Sequence, residues 1–182
     1  MQCFIRFLWF NSCICIEVPR IGLGRADFVS VVDRLAALGC ELPPVAAGNA
    51  KFASAVCVGN FIFVSGHTPA VNGVLPAQGR LGAEVNVETG RECARLALLK
   101  CLAAAQQELG DLSRLESVVK LTVFVASAPE FRQQPQVADA ASELLQQIFL
   151  PPGGRHARAA VGVASLPGGA PVEVELIGKV AD

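Results

Sequence analysis

The amino-acid sequence predicts an α+β fold in which two main helices pack on one face of a mixed β-sheet. Three observations favour it. Two β-prone runs joined by a Gly-Asn turn occupy residues 51–66, helical patterns cover residues 86–109 and 134–149, and two more β-prone runs fill residues 155–179. With one strand between the helices, the order is ββαβαββ after an extra N-terminal helix. Strict strand-helix alternation, typical of a parallel sheet, is missing.

Residues 1–26 form an apolar leader that we expect to lie outside the fold. It is too short for a membrane span, which needs about 20 apolar residues. The leader lacks the cleavage site of a secretory signal peptide. Its three arginines are compatible with a mitochondrial presequence, which stays an alternative. Residues 27–182 are expected to form one domain. It begins with a helix that starts at Asp27 and stops at Gly39.

The first hairpin contains a nearly all-apolar strand. Lys51–Val58 is predicted as its first strand, Gly59–Asn60 as the turn and Phe61–Gly66 as its second strand. Because its apolar residues are continuous, we expect the second strand to be central and buried on both faces. The polar, turn-rich segment 67–84 follows, and long loops inside compact domains usually serve function.

Two long helices and the strand between them complete the central part of the chain. Asn86 is predicted to cap a helix that ends near Leu109, with Gly110 just beyond it. Apolar residues recur along this helix at helical spacing. A strand follows over Ser117–Val125, and a second helix over Gln134–Phe149 stops at a Pro/Gly run.

The last two β-prone runs carry charge where core strands normally carry none. Arg155–Ala164 and Val172–Lys179 flank a Pro/Gly turn, so we expect an antiparallel hairpin. Alternation places Arg158 among small residues on one face. Glu173 shares a face with Glu175 on the other strand. The expected register separates Arg158 from Glu173 by about 16 Å, so one small ligand contacts both only if they belong to different subunits.

Composition narrows the function classes. Fifteen basic and 16 acidic residues give a net charge of −1, which disfavours binding to nucleic acid or anionic membranes. Hydrophobic residues make up 52% and charged residues 17%, so we expect a buried subunit interface. The seven cysteines include no CxxC pair and are interpreted as reduced thiols in a cytosolic or organellar protein.

Catalytic signatures are sparse. The sequence contains no P-loop, GxSxG or HExxH motif and only two histidines, so we expect neither a metal nor a nucleotide cofactor. Arg158 has a donor fork suited to a substrate carboxylate, although a structural ion pair explains it equally well. Glu173 could position or deprotonate a water molecule, and a solvated sheet edge is the alternative reading for the glutamates.

The sequence resembles the Rid/YjgF family of imine deaminases, often described as "endoribonuclease L-PSP", from Asp33 to Val180. The resemblance implies a chorismate-mutase-like α+β fold and a homotrimer with ligand sites between subunits. It also implies that Arg158 binds the carboxylate of an imine or enamine acid, that Glu173 orients the hydrolytic water, and that Ser65 and Gly66 line the pocket. Three segments carry it: Val58–Pro69, Val119–Val125 and Arg158–Glu175.

Four positions depart from the family pattern. Phe52 stands where the family has a pocket tyrosine, and Ala160 where active deaminases commonly have cysteine. Asp139 aligns near a family asparagine, and His67 replaces a common glutamine. The chain is therefore interpreted as a divergent subgroup that keeps Arg158 and Glu173 without the whole constellation.

The expected activity is hydrolysis of reactive enamine or imine acids of the 2-aminoacrylate type to 2-oxo acids and ammonia, without a cofactor. A non-catalytic trimer that binds small carboxylates or 2-oxo acids is the alternative, favoured by Phe52 and Ala160. An endoribonuclease is the weakest reading because the chain has no basic-aromatic stripe. We expect a cytoplasmic protein without membrane contacts, or a mitochondrial one if the leader is a presequence.

Overall fold

The computed structural model describes residues 30–45 and 51–181. The predicted leader, residues 1–26, and the predicted helix start at Asp27 lie outside these ranges. Within the two ranges, no helix combines the length and apolar character needed to cross a membrane.

The described residues form three α-helices and five strands in the predicted order, ββαβαββ after a first short helix. Short 3₁₀ turns precede the third and fifth strands. The helices are α1 (Val31–Ala37), α2 (Val87–Leu109) and α3 (Gln134–Ile148), and the strands are β1 (Ala55–Val58), β2 (Phe61–His67), β3 (Leu115–Ala126), β4 (Ala157–Val163) and β5 (Val172–Val180).

The five strands form one mixed sheet in the order β1-β2-β5-β3-β4. All neighbouring pairs are antiparallel except β3 and β4, which run parallel. A parallel pair needs a crossover connection, and α3 supplies it. The α+β class and the mixed sheet predicted from the sequence are confirmed.

The predicted hairpin between the last two strands is wrong. β3 lies between β4 and β5, with Leu121 paired to Arg158 on one side and to Leu176 on the other. Pattern and turn residues correctly located both strands, but they do not determine which strand lies next to which. The inward residues Val172, Val174 and Leu176 are fully buried, and the centre of the sheet provides that burial whereas its edge does not.

The helices cover one face of the sheet, the helix face, and the other is the open face. Leu121, Val123 and Val125 of β3 point to the helix face and are fully buried there. Phe61 and Phe63 of β2 point to the open face and are 44% and 45% exposed. The expectation that β2 is buried on both faces is therefore wrong for this chain by itself.

The predicted ends of α2 are confirmed. The side chain of Asn86 accepts a hydrogen bond of 2.8 Å from the backbone N–H of Thr89, which caps the first turn. Gly110 closes the helix with φ 76°, the left-handed conformation that glycine adopts without a Cβ penalty. The helix packs on β2 and β5, and α3 packs on α2 and β4.

Candidate active site

Arg158 lies on the edge strand β4 and points to the helix face, like its partner Leu121. Its Nη1 donates to Oδ1 of Asp139 at 2.8 Å and to Oγ of Ser142 at 3.0 Å. Both acceptors are on α3, so the parallel crossover brings helix and strand together here. The Arg158 side chain is 25% exposed and that of Asp139 45% exposed, so this is a half-buried ion pair at the surface.

Ser142 connects Arg158 to a histidine. Its Oγ lies 3.0 Å from Nε2 of His156, and Nδ1 of His156 lies 3.1 Å from the carbonyl oxygen of Gly154. A carbonyl only accepts, so Nδ1 of His156 donates to Gly154, and the Ser142 hydroxyl can donate to Nε2 while its oxygen accepts from Arg158. Each bond of the series Arg158, Ser142, His156 and Gly154 then has one donor and one acceptor.

The sequence reading missed Ser142 and His156. His156 lies two residues before Arg158 and Ser142 three residues after Asp139, so strand and helix spacing place each beside a predicted site residue. Those spacings are the signal that would have found them, once β4 was known to pack against α3.

An open cavity of about 310 Å³ adjoins this network. Glu143 at its rim is paired with Arg91 at 2.9 Å, outside the network. Ala160 follows Arg158 on the same face of β4 and packs against the core. The residues lining the cavity are Asp139, Ser142, Glu143, Gln146, Arg155, His156 and Arg158.

Glu173 lies on the open face, paired with Phe124 of β3. Burial raises the pKa of its carboxyl above the ordinary value, and the neighbouring Glu175 raises it further. The carboxylate lies against Gly66, where a Cβ would come within 2.1 Å of Oε1 of Glu173. The absence of a side chain at Gly66 is therefore what admits the glutamate.

Ser65 lies on β2 next to Gly66, and Phe52 lies in the segment before β1. The hydroxyl of Ser65 donates to the carbonyl oxygen of Ala53 at 2.7 Å, which ties β2 to the segment that follows Phe52. The Phe52 side chain is 60% exposed. Ser65 also lines a cavity of about 260 Å³ on the sheet together with Glu175.

His67 points away from Glu173. Its β5 partner is Val174, whose side chain is buried on the helix face. Burial lowers the pKa of His67 to about 4, and the nearby Lys100 ammonium contributes. Its Nε2 is buried and, within residues 30–45 and 51–181, has no hydrogen-bond partner. His67 is thus a partly buried histidine on the helix face that is uncharged near neutral pH.

Six of the predicted site residues thus form two groups on opposite faces of the sheet. Arg158, Asp139 and Ala160 lie by α3, whereas Glu173, Gly66 and Ser65 lie by β2. Arg158 is level with Leu176, three residues from Glu173 and two strands across. At about 4.8 Å per strand and about 3.3 Å per residue, their Cα atoms are about 14 Å apart. The separation argued from the sequence holds, although the register that suggested it does not.

Among the residues that the structure describes, no three His, Cys, Asp or Glu side chains gather at a spacing that could hold a metal ion. The arrangement provides instead a guanidinium, a carboxylate of raised pKa and a few hydroxyl groups. A guanidinium can bind the carboxylate of an acid, and a carboxylate of raised pKa can take a proton from water.

A mixed five-stranded sheet covered by helices on one face defines a class of small α+β proteins. The family model described as "YjgF/chorismate_mutase-like, putative endoribonuclease" matches residues 32–177. The chain belongs to this family.

Individual relatives agree with this assignment. Protein TCP17 of Trypanosoma cruzi is 45% identical over 149 residues, which are 81% of this chain and 92% of that protein. Atu1372 of Agrobacterium tumefaciens is a protein of unknown function with a crystal structure. It is 40% identical with a TM-score of 0.76, and the match covers 83% of this chain and 92% of that one. RidA from an Antarctic Psychrobacter is 27% identical with a TM-score of 0.51, covering 76% and 94%. The backbone is thus more similar to Atu1372 than to RidA.

Proposed function

We propose that this protein hydrolyses reactive enamine or imine carboxylic acids to 2-oxo acids and ammonia, at sites between subunits of a homotrimer. The observation that carries the proposal is the placement of Arg158 and Glu173 on opposite faces of one sheet. Arg158 supplies a cation suited to a carboxylate, and Glu173 supplies a carboxyl of raised pKa. Within one chain the two side chains are too far apart to contact the same small ligand.

Arg158 is the proposed anchor for the substrate carboxylate. Its guanidinium is held from one side by Asp139 and Ser142, at 2.8 Å and 3.0 Å. A planar guanidinium fixed in this way loses little freedom when it binds a carboxylate, which favours a defined orientation of the ligand. The cavity of about 310 Å³ beside it has room for a small acid.

Glu173 is the proposed base for water. A carboxyl whose pKa is raised towards neutrality accepts a proton from water more readily than an ordinary surface glutamate. Water adds to the carbon of the C=N bond, Glu173 takes its proton, and the same proton is passed to the departing nitrogen. Enclosure by a second subunit would bury the carboxyl further and raise the pKa again.

The open face of the sheet supports assembly. It carries several large apolar side chains that are 39% to 61% exposed, more than a lone surface residue would explain. Covering this face with other copies of the chain would bury them and enclose Glu173. These side chains are Val56, Val58, Phe61, Phe63 and Val161.

The activity test measures 2-oxo acid release from freshly generated 2-iminobutanoate. We expect the wild type to accelerate release above the uncatalysed rate and Arg158→Ala to lose at least about a hundredfold in kcat/KM, as expected when a charged anchor is removed. A wild-type rate equal to background would reject the deaminase proposal.

Subunit complementation tests the shared site. Arg158→Ala and Glu173→Gln chains are each expected to be inactive, but after co-refolding at equal amounts a cleft is complete when one subunit supplies Arg158 and its neighbour Glu173. Random assembly gives about a quarter of the wild-type activity. No recovery, with mixed trimers demonstrated by differently tagged chains, would place both residues in the same subunit's site or in no site.

A carboxylate-binding protein without turnover is the second candidate. It is favoured by Phe52, which has no hydroxyl, and by Ala160, which has no thiol beside Arg158. Saturable 2-oxo acid binding with no imine hydrolysis would establish it. RNA cleavage is the third, and its persistence in the Arg158→Ala and Glu173→Gln variants would place any such activity outside this site.

A further inference from the structure

We propose that Asp139 makes the Arg158 site select acids that carry a cationic nitrogen next to the carboxylate. α-Iminium and α-amino acids would then bind more tightly than 2-oxo acids of the same carbon skeleton. This inference rests on the proposed role of Arg158 as carboxylate anchor and names the ligand charge that the anchor prefers.

The first step concerns the donors that Arg158 keeps. Both of its hydrogen bonds within the described residues leave from Nη1, one to Asp139 and one to Ser142. A guanidinium has five N–H donors, and Nη1 supplies two of them. The Nε and Nη2 groups are left as a side with parallel N–H bonds, which is the geometry that binds a carboxylate bidentately. A ligand can therefore use Arg158 without displacing Asp139.

The second step concerns the acceptor that Asp139 keeps. Its bond to Arg158 uses Oδ1, and its side chain remains 45% exposed at the wall of the cavity. A carboxylate has about four acceptor sites on its two oxygens, so Asp139 can accept a further N–H from a ligand. An ammonium or iminium nitrogen of an α-substituted acid lies one carbon from its carboxylate. The cationic nitrogen and the carboxylate of such a ligand therefore lie about as close together as the charged groups of Arg158 and Asp139.

Charge balance gives the direction of the preference. Arg158 and Asp139 together are neutral, so a 2-oxo acid brings one negative charge close to Asp139 without a partner. A zwitterion brings no net charge, and its cation faces Asp139. Arg155 also lines the cavity, but it adds the same attraction to the carboxylate of either ligand. Glu143 is paired with Arg91 at 2.9 Å and is already neutralised.

The Ser142 and His156 bonds make this discrimination sharp. Ser142 holds Nη1 at 3.0 Å, and His156 in turn holds the serine hydroxyl at 3.0 Å. With Nη1 bound on two sides, the guanidinium plane is fixed relative to Asp139. A ligand that lacks the cationic nitrogen cannot recover the lost contact by moving Arg158 away from the aspartate.

The preference matches the direction of the proposed reaction. The iminium acid R–C(=NH₂⁺)–COO⁻ and water give R–CO–COO⁻ and NH₄⁺, so atoms and charge balance. The step replaces the group that Asp139 recognises with a carbonyl oxygen, which Asp139 repels. Product affinity then falls below substrate affinity, and the 2-oxo acid leaves the site.

The test compares two ligands of one skeleton, 2-aminobutanoate and 2-oxobutanoate, by NMR or calorimetric titration of the full chain. We expect the wild type to bind the amino acid at least about tenfold more tightly. The isosteric Asp139→Asn should bring the ratio of the two Kd values to about one, because the amino acid weakens and the oxo acid tightens. Asp139→Ser serves as a second variant if Asp139→Asn does not fold.

The matched control is Glu143→Gln, which removes an equal charge from the same helix one helical turn away. It should leave the ratio of the two Kd values unchanged. A wild-type preference for the oxo acid, or a ratio that Asp139→Asn does not alter, would overturn the selectivity while leaving Arg158 as the anchor. If Arg158→Ala binds both ligands as the wild type does, or the wild type binds neither, the anchor itself is wrong and the proposed function fails with it.

Discussion

Replacing Gly66 with alanine tests whether the backbone at β2 determines the position of Glu173. A Cβ at this residue would lie 2.1 Å from Oε1 and 2.9 Å from the carboxyl carbon of Glu173. The carboxylate must therefore move by more than about 1 Å to reach ordinary van der Waals distance. Gly66 does not have the positive φ that would itself penalise alanine, so the clash is the whole of the expected effect.

The magnitude follows from what has to move. The obstacle is the end of a side chain rather than backbone, so Gly66→Ala should lower the free energy of unfolding by about 1 to 2 kcal/mol, within the usual range for overpacking. In a Glu173→Ala background the obstacle is gone. The same change should then be neutral, or stabilising by about 0.5 kcal/mol through the unfolded chain. The coupling energy is the difference between the two effects, about 1 to 2.5 kcal/mol.

Urea denaturation of the four proteins of this cycle measures the coupling. Gly162→Ala is the matched control: Gly162 is also on a strand, and its Cβ would lie 2.9 Å from Nε2 of Gln134, again the end of a flexible side chain. It should destabilise equally with and without Glu173. A Gly66→Ala cost that is the same in both backgrounds would refute the reasoning. In the imine assay Gly66→Ala should lose about a hundredfold in kcat, since a shift of about 1 Å misplaces the base.

Two predictions concern pH. Glu175→Gln removes the lesser cause of the raised pKa of Glu173, so the acid limb of the rate profile should shift to lower pH but stay above the ordinary glutamate range, because burial remains. An unmoved limb would deny the coupling. His67, with a pKa of about 4 in the fold against 6.5 in a free side chain, takes up its proton more readily when unfolded. Stability should therefore fall as the pH drops from about 6.5 to about 4, by about 1 to 2 kcal/mol after allowance for partial exposure. Above the ordinary pKa of a glutamate, Glu173 changes the pH dependence of stability in the opposite direction. The measurement is therefore the difference in urea midpoint between wild type and His67→Leu at each pH, in which the contribution of Glu173 cancels. Equal pH dependence of the two proteins would contradict the prediction.

Several local features of this protein were predictable because neighbours along the chain determine them. The cap at Asn86 and the left-handed Gly110 follow from helix-end chemistry, and the alternation of Val172, Val174 and Leu176 follows from the pleat of a strand. The order ββαβαββ was predictable for the same reason. The choice of Arg158 and Glu173 as candidates also needed only the sequence, because charge on an apolar strand is visible there.

Pairing between distant segments could not be predicted in this way. The pattern of β4 and β5 fits a hairpin as well as it fits two strands separated by β3, because the alternation along each strand is the same in both arrangements. Ser142 and His156 escaped notice because each is unremarkable on its own element. They become partners only where α3 packs against β4.

The sequence by itself thus determined the elements, the caps and the two charged candidates, because those depend on residues within a few positions of each other. The tertiary structure decided that Arg158 faces the helices beside Asp139 and that Glu173 faces the opposite side against Gly66. The physical reason is that strand order depends on how the whole apolar surface is buried at once. A parallel crossover through α3 places β4 at the edge, and that placement brings Asp139 to Arg158.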